Sequence, residues 1–137
     1  MTPTSLMKRR TNVLSQSKIV AFAATSKPES AKSFYEQTLG LRLLTDDPFA
    51  VVFDANGIML RVQKVQAHAP PNYTVLGWDV ADIRAEIKEL TGRGVRFERY
   101  EWLGQDESGV WTSPSGGKIA WFKDPDGNVL SLTEFNE

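Results

Sequence analysis

The side chains able to do chemistry in this chain are few, and they are scattered along it. Asp79 closes the apolar run at residues 73–80. Desolvation there would raise its pKa and make it a general base; a strand-end carboxylate beside the next helix is the plainer role. Arg61 follows Ile58-Met59-Leu60. It could grip a carboxylate or phosphate through two parallel N–H bonds, or lie solvated on an edge strand. His68 is the sole histidine and sits in a proline-rich stretch with no plausible catalytic partner in its sequence context, so no Ser-His-Asp arrangement is expected. Ser113-Pro114-Ser115-Gly116-Gly117-Lys118 has a glycine–lysine step, but the first glycine is misplaced and Ile119 stands where a phosphate loop needs Ser or Thr. It reads as a turn. With no cysteine, thiolate chemistry, disulfides and cysteine-based zinc sites are excluded.

Two repeated blocks must position these residues. In the first, the apolar run Ile19-Val20-Ala21-Phe22-Ala23-Ala24 precedes Ser26-Lys27-Pro28-Glu29, a Ser-x-x-Glu capping box that predicts a helix start. Ala31, Phe34, Tyr35 and Leu39 follow with helical period, and Gly40 closes the helix. In the second, residues 73–80 form the strand, Asp82 is the cap, Ile83, Ile87 and Leu90 make the buried stripe, and Gly92 or Gly94 ends it. Each helix feeds similar text, Gly40-Leu41-Arg42-Leu43 and Gly94-Val95-Arg96-Phe97, predicting a strand in both places. Each block ends in a hairpin, at Asn56-Gly57 in the first and at Asp124-Pro125-Asp126-Gly127-Asn128 in the second. The order is β-α-β-β-β twice. The predicted modules are 18–66 and 73–135, joined by a linker at 67–72 that contains Pro70-Pro71. Neither half is large enough to bury its own core, so pairing of halves is expected in a single domain over 18–135, and the linker allows it within one chain or across two. The second carries an insertion at 104–117, and Trp111 in it is a candidate aromatic flap.

Ala31-x-x-Phe34-Tyr35-x-x-x-Leu39-Gly40-Leu41, the paired layout and Asp124-Pro125-Asp126-Gly127-Asn128 together resemble the vicinal oxygen chelate superfamily, which includes glyoxalase I, extradiol dioxygenases and bleomycin-resistance proteins. The resemblance covers about residues 18–135. It implies an α+β fold in which two tandem βαβββ modules form a cupped, curved mixed sheet with helices on the outer face. It also implies four metal-ligand positions inside the cup. Here these are Val20, Leu60 or Arg61 according to register, Val75 and Ser131. A divalent cation needs several oxygen or nitrogen donors, and these positions carry no histidine or carboxylate. Glu134 is an odd number of residues past Ser131 and should face the other way.

Alternation along strands then selects the lining. Val20 brings Phe22 and Ala24 to the cup. Val75 brings Gly77 and Asp79, leaving Trp78 under the helices. Ser131 brings Val129 and Thr133, with Leu130 and Leu132 facing the helices. Phe122 joins them if it pairs opposite Val129, and Trp121 takes its place if the turn register differs. The candidate ligand-binding residues are Phe22, Arg61, Asp79, Trp111, Phe122, Ser131 and Thr133. They describe an apolar, aromatic pocket with a few polar groups, or else a filled core.

The leading expectation is a metal-free protein of the bleomycin-resistance type that sequesters or senses a small hydrophobic or aromatic ligand, with no cofactor and no catalytic residue. Competing with it is an enzyme of the same superfamily, metal-free through Asp79 or Arg61 or using ligands at unusual positions. A scaffold with a filled cup is the third. The net charge of −1 argues against a nucleic-acid partner, and no apolar run could span a bilayer. A homodimer is implied by the resemblance, and the cytoplasm is the expected location. Residues 1–17 carry Lys8-Arg9-Arg10 and no acidic residue, the composition of a flexible basic tail and also of an organellar leader.

Overall fold

The structure, a computed structural model, describes residues 13–136. Most of the expected basic tail at 1–17 lies outside the described residues. Strand β1 (Val20–Thr25) leads to helix α1 (Pro28–Ser33), which continues as a π-helical turn (Phe34–Thr38), and then to β2 (Arg42–Asp46), β3 (Ala50–Ala55) and β4 (Ile58–Lys64). The second module has β5 (Thr74–Asp79), α2 (Ile83–Gly92), β6 (Trp111–Thr112), β7 (Lys118–Lys123) and β8 (Val129–Glu134). Each forms a four-stranded sheet, ordered β1-β4-β3-β2 and β5-β8-β7-β6. The first strand of each module runs parallel to the last, and the other pairs are antiparallel. The repeat in the text is thus a repeat in topology, and the fold is the α+β pair of βαβββ modules expected.

Local chemistry explains most elements. At the β3–β4 hairpin, Asn56 (φ 52°) and Gly57 (φ 91°) both take the left-handed conformation that a two-residue turn demands. Helix α2 is capped by Asp82, whose carboxylate accepts from the Ala85 amide at 3.2 Å, and it buries Ile83, Ile87 and Leu90 as its spacing predicts. Those residues join Tyr35, Phe53, Leu60, Val62, Phe122, Leu130 and Leu132 in one core that runs through both modules.

Two expectations fail at specific atoms. The Ser26 capping box does not form: Lys27 is the N-cap residue of α1, and no side chain caps that helix. The Ser26 amide instead donates to Asp126 Oδ1 at 2.8 Å, from the far end of the chain, and the Thr25 hydroxyl donates to Asp126 Oδ2. The Ser26 amide, which a capping box would give to the Glu29 carboxylate, is thus taken by a carboxylate distant in sequence. The strand expected at 94–97 is reduced to a single bridge, Phe97 with Phe122. After Glu98 N–H donates to Trp121 O at 2.7 Å, the chain leaves the sheet, and the edge is resumed by the short β6.

The Asp-Pro-Asp-Gly turn therefore does more than reverse the chain. Asp124 Oδ2 accepts from the buried Tyr35 hydroxyl at 2.7 Å and from Asn128 Nδ2 at 2.8 Å. Asn128 Nδ2 also donates to Ala24 O at 2.9 Å. With its amide nitrogen so committed, Asn128 Oδ1 must be the acceptor facing His68 Nε2 at 2.7 Å, which makes the imidazole the donor. Burial, reinforced by Asp124, holds the Tyr35 phenol far above its ordinary pKa, so it stays a donor. This clasp ties the second module's turn to β1, α1 and the linker of the first.

Candidate ligand site

Sheet register decides which side chains leave the core. In β7 and β8, Trp121 pairs with Ser131 and Phe122 with Leu130. The turn therefore spans Asp124 to Asn128 with Lys123 opposite Val129, one residue away from the register that would put Phe122 in the cup. Phe122 is fully buried on the helix side, its ring 6.4 Å from Phe34, 6.5 Å from Trp78 and 5.4 Å from Phe97. It is a core residue, and Trp121 takes the cup face.

The other candidates fall on two patches. Asp79, Thr133, Ile119 and Trp111 form one cross-strand row in the second module, and Gly77, Ser131 and Trp121 form the next. Gly77 is required there, because a Cβ would come within 2.6 Å of Ser131 Oγ. Phe22 and Arg61 are register partners in the first module, which settles the Leu60/Arg61 choice: Leu60 is in the core and Arg61 on the cup side. Val75 lies at an irregularity in β5 between Thr74 and Leu76 and pairs with no β8 residue.

The cavity itself lies at one end of the second module's patch. It measures about 400 Å3 and is lined by Tyr73, Thr74, Tyr100, Trp102, Trp111 and Trp121, with Asn72, Leu103 and Val129 completing it. Of the seven candidates only Trp111 lines it. Trp121 is its centre: its ring lies 6.3 Å from Trp111 and 5.8 Å, nearly perpendicular, from Tyr100, and its Nε1 donates to Thr74 Oγ1 at 3.1 Å. Tyr100 also packs 5.7 Å from Trp102, which stands 81% exposed at the rim.

Tyr100 and Trp102 were not identified from the sequence, since they belong to neither helical nor alternating text. Gln105 places them. Its amide nitrogen donates to Glu98 O at 3.0 Å and Gly109 O at 2.8 Å, and its oxygen accepts from the Tyr100 amide at 2.7 Å. One side chain thus replaces the strand partners lost where the edge is interrupted, and it fixes the loop that carries both rings. Burial, with Glu98 adding, raises the Tyr100 pKa and keeps the phenol protonated.

Among the described residues no three His, Cys, Asp or Glu side chains converge to hold a metal. Val20, Arg61 and Ser131 offer no donor set for a divalent cation. Glu134, the last residue of β8, accepts from the Ile83 amide at 3.0 Å, which puts its carboxylate against the start of α2. The residues present do not fit the metal the resemblance implies.

Two βαβββ modules in one chain, with cupped sheets and outer helices, define a paired-module protein. Residues 18–132 match the Glyoxalase/Bleomycin resistance protein/Dioxygenase superfamily, and the chain belongs to it. Among similar solved structures is a member of that superfamily from Sphaerobacter thermophilus DSM 20745, 28% identical, with TM-score 0.64 over 85% of this chain and 97% of the other. TnmS3, an antibiotic binding protein from Streptomyces sp. CB03234, is 26% identical, with TM-score 0.66 over 88% and 98%. Lactoylglutathione lyase from Agrobacterium tumefaciens shares the fold at 18% identity, with TM-score 0.66 over 88% and 95%. No curated protein matches the chain in sequence. One fold therefore spans a named lyase and a named binding protein, and the site must choose between them.

Proposed function

We propose that this protein is a metal-free binding protein that sequesters or senses a small hydrophobic or aromatic molecule in the Trp111–Trp121 cleft. The observation that carries this reading is the lining: five aromatic rings and no carboxylate, histidine, lysine or arginine. A cavity of this size and composition suits a compact planar ligand. It holds no acid–base pair, because the only titratable lining groups are the Tyr73 and Tyr100 phenols. The likeness to TnmS3 supports binding over turnover. The test is tryptophan fluorescence with a library of planar aromatic compounds. Saturable quenching in the native chain that is lost in Trp111→Ala supports the reading, and absence of saturable quenching across the library overturns it.

A homodimer belongs to the same reading. Val20, Phe22 and Met59 are 42%, 50% and 40% exposed on the cup side of the first module, an apolar row unusual for a surface left in water. Covered by a second copy, the row is buried. Light scattering should give a dimer that Phe22→Asp converts to monomer; a native monomer at high concentration removes this part. A cytoplasmic location, which suits a chain without disulfides, completes the reading and is checked by cell fractionation.

A further inference from the structure

The segment after α2 borders a second concavity that the aromatic cleft does not use. Tyr100, Trp102 and Leu103 line the cleft, whereas Arg96, Phe97 and Arg99 line a separate groove of about 590 Å3 against α2. The groove has an apolar floor, formed by the buried Ile87 and Val95 and the half-buried Phe97. Its walls are cationic. Arg84 and Lys88 stand one turn apart on α2, and Arg96 and Arg99 approach from the following segment; Glu107 is the lone carboxylate among the lining residues.

The charges in it are not equivalent. Arg84 is answered by Asp106, whose other oxygen accepts from the Ser108 and Val110 amides. Arg99 is anchored but not neutralised: its Nη1 donates to Asp106 O at 2.6 Å and Glu107 O at 3.3 Å, which are carbonyls. Neither Lys88 nor Arg96 has an ion pair or side-chain hydrogen bond among the described residues. Three cations thus stand against Glu107 alone, a surplus of two positive charges. A phosphate monoester carries close to that charge in the opposite sense, and guanidinium groups bind it through paired N–H donors. Inorganic phosphate would leave the apolar floor uncovered, and the volume lies in the range of drug-sized ligand sites.

We propose that this groove binds a small organic phosphate monoester, with its phosphate on Lys88, Arg96 and Arg99 and a flat apolar body on Ile87, Val95 and Phe97. The site is independent of the aromatic cleft and of any ligand there.

Phenyl phosphate, inorganic phosphate and phenol are the probes, titrated into the full chain and followed by amide chemical shifts. Phenyl phosphate should give saturable shifts at residues 84–99 and 107–108, bind about tenfold tighter than inorganic phosphate because its ring covers apolar surface, and weaken as salt is added. Phenol should leave these residues unmoved. Lys88→Gln and Arg96→Gln should each weaken phenyl phosphate by about tenfold, the effect of losing one charge-assisted hydrogen bond. Both side chains are exposed, so melting temperatures should be unchanged. Three results overturn the proposal: no saturable shift at millimolar phenyl phosphate, equal affinity for inorganic phosphate, or unaltered affinity in both variants.

Discussion

Trp121 and Phe122 are neighbours in sequence and opposites in environment. Trp121 lines the cleft, and Phe122 is fully buried with three aromatic neighbours. Truncating each should therefore have separable effects. Phe122→Ala should cost about 3–5 kcal/mol of stability, the ordinary result of emptying an aromatic site in a core, read from denaturant unfolding. Trp121→Ala should leave most of that stability and weaken a cleft ligand by about tenfold, since it removes both a ring face and the donor to Thr74. Equal destabilisation by the two would contradict the assignment of faces. The sequence stated both outcomes for this pair but could not choose between them. The choice rests on turn length, where one residue more or less reverses every side chain on the strand.

Among the elements, the hairpins and helix stripes were legible because their signals are local. Asn56-Gly57 needs nothing beyond itself to turn, and Ile83, Ile87 and Leu90 lie on one side of any helix. What could not be read depended on distant partners: Asp126 displacing the Ser26 cap, and Gln105 holding the loop that breaks the edge strand. That loop supplies Tyr100 and Trp102, so the candidate site was only partly visible. Gln105→Ala leaves the Tyr100 amide and two carbonyls without their partner. It should release the loop, seen as faster amide exchange over residues 98–110 and weaker cleft binding, while α2 and β8 keep their protection. Unchanged exchange in that loop would show that Gln105 is not what orders it.

For the molecule as a whole, several carboxylates are held below their ordinary range. Hydrogen bonding from the Lys64 ammonium lowers Asp46 against an opposing effect of burial. The Phe49 and Ala50 amides lower Asp47, and the Ile83 amide lowers Glu134. Asp106 is lowered although burial opposes it, because the Val110 and Ser108 amides and Arg84 outweigh that penalty. A group with a depressed folded pKa binds fewer protons when folded than when unfolded, so its stabilisation is complete above the unfolded pKa and is lost as pH falls through the folded one. Melting temperature should be flat for these groups between about pH 7 and pH 5 and fall below about pH 4. A flat profile down to pH 3 would mean that these contacts contribute nothing to folding.

The clasp at the Asp-Pro-Asp-Gly turn makes each half of the chain a poor protein by itself. The entry to α1 is tied to Asp126, the Tyr35 hydroxyl donates a hydrogen bond to Asp124, and the core is shared. Cut between Pro70 and Pro71, the chain would yield two fragments that each lack half of a buried surface and of a hydrogen-bond set. Alone, each should be unstructured by circular dichroism; mixed, they should recover the native spectrum with a one-to-one midpoint. The same contacts that hold one chain closed would then serve as a split pair, in which assembly of the fragments reports that two fused proteins have met.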